Sequence, residues 1–297
     1  MANYDDIFGT PEEKTTPTAT RNQMSPDEWA AMKRQERSDA YALADKTAKE
    51  IVNDPQNFRD YLDVQSRFDR YSATNTLLIY AHNINATQLR DRKSWKDAGI
   101  TVNKGEKGIP ILEPGESYER DDSSIGTCYN VKWVYDISQT DAVPTAEPTV
   151  NRDERQMLKA LIAKRSVPIE LEDNVPHGAI YDHPKGKILV QKGMEGPDIF
   201  RSVSFALAHA ELAQNDSSYT PDKAGFKAYC ISYMLCQKYG VDTRGYDFRQ
   251  IPSELRNADS KTLRAELTGI RNTMNSISSR IAKNLDQTKK DPKAQER

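Results

Sequence analysis

The apolar pattern of the chain changes near Ile100, and this change constrains the fold more than any other feature of the sequence. Before it, helix-start signals recur. The first is Ser25-Pro26-Asp27-Glu28, which combines an N-cap serine, a proline at the first helical position and a glutamate three residues after the cap. After it come short β-type runs broken by glycine. The sequence therefore predicts an α+β fold, in which helices precede a small antiparallel sheet.

Three helices are predicted before the sheet. The capping box starts a helix that runs to about Val52, and Asp54-Pro55 starts a second helix in the same way. Residues 73–82 are expected to form a third, more apolar helix. Two strands follow at 109–112 and 129–137, and the polar segment 113–126 between them is predicted to be a mobile hairpin tip.

The second half is predicted to be mostly helical. Helices are expected at 152–164, 198–214 and 222–239, with short strands at 167–171 and 187–191. A long last helix begins near Ser260, and its apolar residues alternate four and three apart: Leu263, Leu267, Ile270, Met274, Ile277 and Ile281. Because this stripe lasts only about three heptads, packing on its own domain is favoured over a coiled-coil dimer.

These elements divide the chain into two domains, as its length of 297 residues allows. The predicted units are a disordered lead (1–24), an N-terminal domain (25–140), a proline-containing linker (141–150), a C-terminal domain (151–285) and a charged tail (286–297).

Composition argues against several classes of protein. No apolar run approaches bilayer length and the acidic N-terminal stretch is no signal peptide, so we expect a cytoplasmic protein without a membrane partner. Three cysteines (Cys128, Cys230 and Cys236) form no CxxC pair, which argues against a disulfide framework and a cysteine zinc site. The net charge is −2, so any nucleic-acid site must be a local basic patch.

A patch of this kind lies between Arg90 and Lys107. Six basic residues stand there against three acidic ones, with Trp95 in their midst: Arg90, Arg92, Lys93, Lys96, Lys104 and Lys107. Cations follow phosphates and aromatic rings stack on unpaired bases, so the stretch suits single-stranded nucleic acid. Composition alone leaves open a solvated charged face around a core tryptophan.

The order of residues carries a family resemblance. The run Tyr71-Ser72-x-x-Asn75, the run Trp95-x-x-x-Gly99 through Lys104-Gly105-Glu106-Lys107-Gly108, and the run Tyr135-Asp136-Ile137-Ser138-Gln139-Thr140 are similar, in register, to the N-terminal domain of ArdC-like antirestriction proteins. The match covers about 70–80 residues within 61–140. The resemblance implies a domain that binds single-stranded DNA, of a kind carried on plasmids, integrative elements or phages.

Seven residues of this match are predicted to contact DNA. Lys104 and Lys107 are expected to contact phosphates, with Arg90 and Lys93 in support. Three further candidates complete the set: Trp95, Asn75 and Tyr71. Trp95 has the alternative of a core residue that holds the glycine turn, and Asn75 that of satisfying a buried backbone group. The run around Tyr135-Asp136 is expected to serve the sheet and not the ligand.

The second half resembles the zincin-like peptidase domain of the same family without its metal site. The family motif HExxH holds zinc with two histidines, and its glutamate activates water. Here Phe205 and Ala206 stand in the first two positions, and only His209 remains. The helix similar to the family's third-ligand helix has no Asp or Glu over residues 223–241. Glu211 lies almost on the opposite helical face from His209.

The sequence therefore predicts a pseudo-peptidase with no catalytic residue, metal or cofactor, and with single-stranded DNA as partner. His209 is expected to be a hydrogen-bonded core residue, although His177 and His183 could approach it. The C-terminal domain is predicted to act as a scaffold or to bind a protein partner. Two alternatives stay open: a peptidase with a rebuilt metal site, and an interaction protein that has lost DNA binding and blocks a host enzyme.

Overall fold

The helices of the first half begin at residues whose side chains cap them. The computed structural model describes residues 24–119, 125–142 and 153–290; α1 spans Pro26–Asn53, α2 spans Pro55–Arg67 and α3 spans Ala73–His82. The Ser25 hydroxyl accepts from the Glu28 amide at 3.2 Å, and the Glu28 carboxylate accepts from the Ser25 amide at 2.8 Å. This confirms the predicted capping box. Asp54 caps α2 through the amides of its second and third residues.

The first sheet has three antiparallel strands in the order β1-β3-β2. They are β1 (Leu89–Asp91), β2 (Ile109–Glu119) and β3 (Ile125–Asp136), and the short helix α4 (Arg92–Asp97) follows β1. The prediction of a mobile hairpin tip at 113–126 is wrong for its described residues, which continue both strands around a register shift between Pro114 and Ser117. The polar side chains of this segment are exposed to solvent, but its backbone still forms the hydrogen bonds of the two paired strands. Residues 120–124 lie outside the described part.

The second half contains a small mixed sheet and five helices within the described ranges. The strands are β4 (Ile169–Glu172), β5 (Ala179–Asp182) and β6 (Lys187–Gln191), with β4 parallel and β5 antiparallel to the central β6. The helices are α5 (Glu154–Ile162), α6 (Gly196–Asn215), α7 (Pro221–Tyr239), α8 (Ser253–Asn257) and α9 (Ser260–Lys290). The predicted elements are confirmed, with ends displaced by a few residues. Residues 1–23 of the predicted lead, most of the predicted linker and the last seven residues of the tail lie outside the described residues.

One hydrophobic core joins the helices of both halves. Its buried residues come from α1, α2 and α3 and equally from α5, α6, α7 and α9. The ring of Phe58 on α2 lies 5.6 Å from that of Phe226 on α7 and 5.9 Å from that of Phe248. A smaller cluster under the first sheet contains Val64, Phe68, Ile79, Ala86, Ile109, Ile111 and Val134. The boundary predicted at 141–150 remains a prediction, but it does not separate two independent cores.

Helix α9 packs against helices from both halves of the chain. Its predicted apolar stripe is buried in the shared core, where α9 contacts α1, α3, α5, α6 and α7. The stripe is thus buried by helices of the same chain, as predicted, but these helices come from both halves and not from the second half alone. The guanidinium of Arg271 on α9 also donates to the carbonyls of Asp69 and Arg70, at 3.0 and 2.8 Å. Among the helices described, none is long and apolar enough to cross a bilayer.

Candidate functional site

A tight turn at residues 103–108, here called the basic turn, presents two of the predicted lysines to solvent. Gly105 has a φ of +90°, a conformation that favours glycine. The Gln139 side chain donates to the carboxylate of Glu106 and to the carbonyl of Lys107, both at 2.9 Å. Lys104 and Lys107 are exposed and line an open cleft of about 660 Å³ together with His82, Asn83 and Gln139. The turn is therefore held by its backbone and by Gln139, which leaves both ammonium groups free to meet a ligand.

Among the described residues, the lysines around this turn have no acidic partner. Within the part of the chain that the structure describes, Lys93, Lys96, Lys104 and Lys107 form no ion pair. Lys132 on the same sheet differs, because it pairs with Asp91 and Glu113 at 3.1 and 3.2 Å. Unpaired, exposed cations produce a local positive potential on a chain whose net charge is −2.

Trp95 is a core residue, and its predicted role as a stacking residue is wrong. Only 1% of its surface is exposed, and its indole N–H donates to the carbonyl of Tyr135 at 2.9 Å. The guanidinium of Arg90 lies 4.9 Å from the ring centroid and covers what remains. A base has no access to the ring, so the alternative in which Trp95 holds the region around the turn applies.

Asn75 and Tyr71 also serve the fold. Strand β2 is an edge of its sheet, and the Asn75 amide pairs with that edge: Oδ1 accepts from the Leu112 amide at 2.7 Å, and Nδ2 donates to the Leu112 carbonyl at 2.9 Å. Because both polar ends are engaged and the residue is buried, the proposed contact with a base or phosphate is wrong. Tyr71 is half-buried with its ring edge against Phe68, and burial raises the pKa of its phenol.

Asp136 ties the end of β3 to the loop before β1, as expected for a residue that serves the sheet. Its carboxylate accepts from the amides of Thr87, Gln88 and Ser138 at 2.7, 2.9 and 3.0 Å. Burial opposes ionisation, but hydrogen bonds from Ser138, Thr87 and Gln88 outweigh it and hold the pKa of Asp136 below its ordinary value. The hydrogen-bonded carboxylate stabilises this corner.

Sequence reasoning missed the aromatic side chains that the sheet exposes. Trp133 is 44% exposed, and the ring of Tyr135 is half-buried under the guanidinium of Arg92, whose centre lies 4.8 Å from the ring centroid. An Arg92 nitrogen also donates to the Tyr135 hydroxyl at 3.2 Å. The sequence could have predicted a face of this kind, because every second residue from Tyr129 to Tyr135 lies on the same side of a strand and three of these four residues are aromatic.

His209 on α6 is buried and already has a partner. Its Nδ1 lies 2.9 Å from the Tyr219 hydroxyl, and the ring of Phe205 packs edge-on at 4.7 Å between centroids. Burial lowers the pKa of His209 to about 4, so its imidazole is neutral at ordinary pH. The predicted hydrogen-bonded core histidine is confirmed.

The polar side chains near His209 have other partners among the described residues. The carboxylate of Glu211 faces elsewhere and bonds to Arg280 and to Ser166. His183 does approach, but its ring packs on Tyr219 with 5.0 Å between centroids. On α7 the Tyr229 hydroxyl accepts from the Asp247 amide at 2.6 Å. In the ranges that the structure describes, no three His, Cys, Asp or Glu residues come together as a metal site.

The basic turn, the exposed rings and the small sheet all belong to a segment with a known family. Residues 40–162 match the family of the N-terminal domain of anti-restriction factor ArdC, so this segment of the chain is ArdC-like. The match starts within α1 and extends through α5. It therefore includes the complete first sheet and a helix beyond the predicted linker.

Individual proteins are similar over longer stretches. An uncharacterized protein of Bacillus anthracis is 25% identical over 270 residues, which cover 71% of this chain and 46% of that protein. The chain thus spans about half the length of this curated relative. Two crystal structures of the antirestriction ArdC protein from plasmid R388 are also similar. The metal-free form is 14% identical with a TM-score of 0.48, covering 73% of this chain and 86% of that one. The Mn(II)-bound form is 16% identical with a TM-score of 0.49, covering 72% and 84%.

Proposed function

We propose that this chain binds single-stranded DNA through the ArdC-like segment, and that it protects DNA entering a cell from restriction. The observation that carries the proposal is the set of exposed lysines around the basic turn that have no acidic partner among the described residues. Outside residues 90–107 acidic residues outnumber basic ones, so the positive charge of the chain is concentrated in this stretch. They lie inside the segment that matches the anti-restriction domain.

Binding to phosphate would be electrostatic and independent of sequence. Each lysine near a phosphate releases condensed counterions, so affinity falls as salt rises. The bound protein would then shield incoming DNA from restriction while the DNA is single-stranded. Protection of this kind requires no catalysis. The restriction-protecting role rests on the family match and on this binding together.

The test is a titration of the full chain with single- and double-stranded oligonucleotides of the same sequence at several salt concentrations. The full chain is needed because a fragment ending near residue 140 would expose the core that α1, α2 and α3 share with the second half. We expect tighter binding to the single strand and a linear fall of log K with log salt. Absent or salt-insensitive binding would contradict the proposal.

We further propose that the second half is a zincin-like domain without peptidase activity, acting as a scaffold for the first. Tetrahedral zinc in a catalytic site needs three protein ligands. Phe205 and Ala206 supply neither a ligand nor a proton acceptor, and the Nδ1 of His209 is engaged with Tyr219. The scaffold role is supported by the shared core and by Arg271, which holds the loop between α2 and α3.

Elemental analysis of the purified chain tests this second proposal. We expect no stoichiometric zinc and no cleavage of unstructured protein substrates. One zinc per chain that disappears in His209→Ala would instead favour a peptidase with a rebuilt site.

A further inference from the structure

The exposed end of one face of the first sheet carries two aromatic rings. Strand β3 places Tyr129, Val131, Trp133 and Tyr135 on this face. Val131 packs against the shared core, and Arg37 of α1 donates to the Tyr129 carbonyl at 3.3 Å, while the Tyr129 side chain itself is 38% exposed. At the other end of the strand Trp133 is 44% exposed. We call Trp133 and the adjoining Tyr135, whose ring lies under the guanidinium of Arg92, the aromatic face.

Cations border the aromatic face on the side of β1 and α4. The guanidinium of Arg92 lies over Tyr135, and Arg90 stands directly opposite Tyr135 in the β1–β3 register. Neither arginine forms an ion pair among the described residues. Guanidinium planes and aromatic rings both stack on nucleic-acid bases, and the charge of the arginines complements phosphate.

The basic turn and the aromatic face meet at Gly108. A Cβ atom added to Gly108 would lie 3.2 Å from the Cβ of Trp133 and 3.2 Å from the ring of Tyr135. A larger residue would therefore push against both aromatic side chains. The lysines of the basic turn and the two rings thus share one end of the sheet, within reach of one short strand of DNA.

We propose that Trp133, together with the Arg92 guanidinium that lies over Tyr135, forms a stacking surface for the bases of single-stranded DNA, while the lysines of the basic turn hold its phosphates. This inference rests on the proposed function and deepens it, since it assigns the part of the site that contacts bases. Every base presents a π-face, so binding is tolerant of sequence. A duplex hides those faces in its own stack, which gives the single strand its advantage.

The first experiment uses intrinsic fluorescence of the full chain. The chain has three tryptophans, of which Trp95 is buried, while Trp29 on α1 is 55% exposed and Trp133 is 44% exposed. Titration with oligothymidine quenches the emission of a stacked indole. We expect Trp133→Phe to abolish the quenching, and the matched control Trp29→Phe to retain it.

The second experiment measures affinity by anisotropy of a labelled strand, with an abasic strand of the same length for comparison. The abasic strand keeps its phosphates and lacks the rings, so wild-type protein should bind it roughly ten-fold or more weakly. Trp133→Ala should weaken binding to the normal strand by a similar factor and lose the discrimination between the two strands. Trp133→Phe, which keeps a ring, should fall between them. Because Trp133 is exposed, circular dichroism of both variants should match the wild type.

The outcomes separate this inference from the proposal beneath it. If wild-type protein binds no single-stranded DNA, both fail. If it binds but Trp133→Ala binds equally well and no quenching occurs, only the stacking surface is wrong. Emission that changes with protein concentration in the absence of DNA, together with a dimer in analytical ultracentrifugation, would assign the aromatic face to self-association and overturn the inference.

Discussion

Removal of the two lysines of the basic turn, Lys104→Ala with Lys107→Ala, should weaken DNA binding without disturbing the fold. Both side chains are exposed and neither forms an ion pair among the described residues. The turn is held by Gly105 and by Gln139, which bonds to the backbone of Lys107 and not to its side chain. Truncation to alanine therefore removes charge and leaves the contacts that shape the turn.

The size of the effect follows from counterion release. Each phosphate contact on a single strand contributes roughly 0.7 to the slope of log K against log salt, so losing two contacts should flatten the slope by about 1.4. At ~0.1 M salt the same two contacts are worth about 25-fold in affinity relative to ~1 M salt, where the contribution vanishes. Wild type and double variant should therefore converge at high salt.

The assay is fluorescence anisotropy at several salt concentrations, repeated with strands of different sequence. The matched control is Lys223→Ala with Lys261→Ala, which removes the same charge from exposed positions in the second half that also form no ion pair among the described residues. The control should keep the wild-type slope. If the double variant has an unchanged circular dichroism spectrum and an unchanged slope, the lysines of the basic turn are ordinary surface charges and the phosphate site lies elsewhere.

Three further predictions concern stability. Burial lowers the pKa of His209 from its ordinary value of 6.5 to about 4 in the folded chain, so the unfolded chain takes up the proton at a higher pH. Up to roughly 3 kcal/mol of stability should therefore be lost as the pH falls from 6.5 to 4. Urea unfolding at several pH values should show this loss in the wild type and a flatter profile in His209→Gln. Phe58→Ala should cost about 3–5 kcal/mol, with emission and circular dichroism reporting one transition because the core spans both halves; two separate transitions would disprove the shared core. Asn75→Ala should cost about 1–3 kcal/mol by stranding the backbone of Leu112, while the folded variant keeps wild-type affinity for DNA.

Local elements were predictable because their causes lie within a few residues. A cap acts between neighbours three positions apart, so Ser25 and Asp54 mark the helix starts without any tertiary information. The strands near 109–112 and 129–137 were predictable from their residue types and flanking glycines, whereas the short β1 at Leu89–Asp91 was missed. The family resemblance depends on the order of residues alone, and the match over 40–162 confirms it.

The ends of the hairpin could not be read in the same way. Residues 113–119 are polar, and polarity in a single sequence marks exposure to solvent without telling a loop from an exposed strand. The backbone bonds between β2 and β3 decide that question, and they join residues that are separated along the chain.

The two tryptophans near the candidate site show what the sequence determines and what only the tertiary structure decides. The sequence places both Trp95 and Trp133 in the ArdC-like segment, with only Trp95 inside the basic stretch from Arg90 to Lys107, and the alternation along β3 puts Trp133 beside Tyr135 on one face. Which ring meets solvent depends on what packs over it. Trp95 is buried against β3 and covered by Arg90, whereas Trp133 remains 44% exposed. Burial is a property of distant segments brought together, so a pattern of nearby residues cannot assign it.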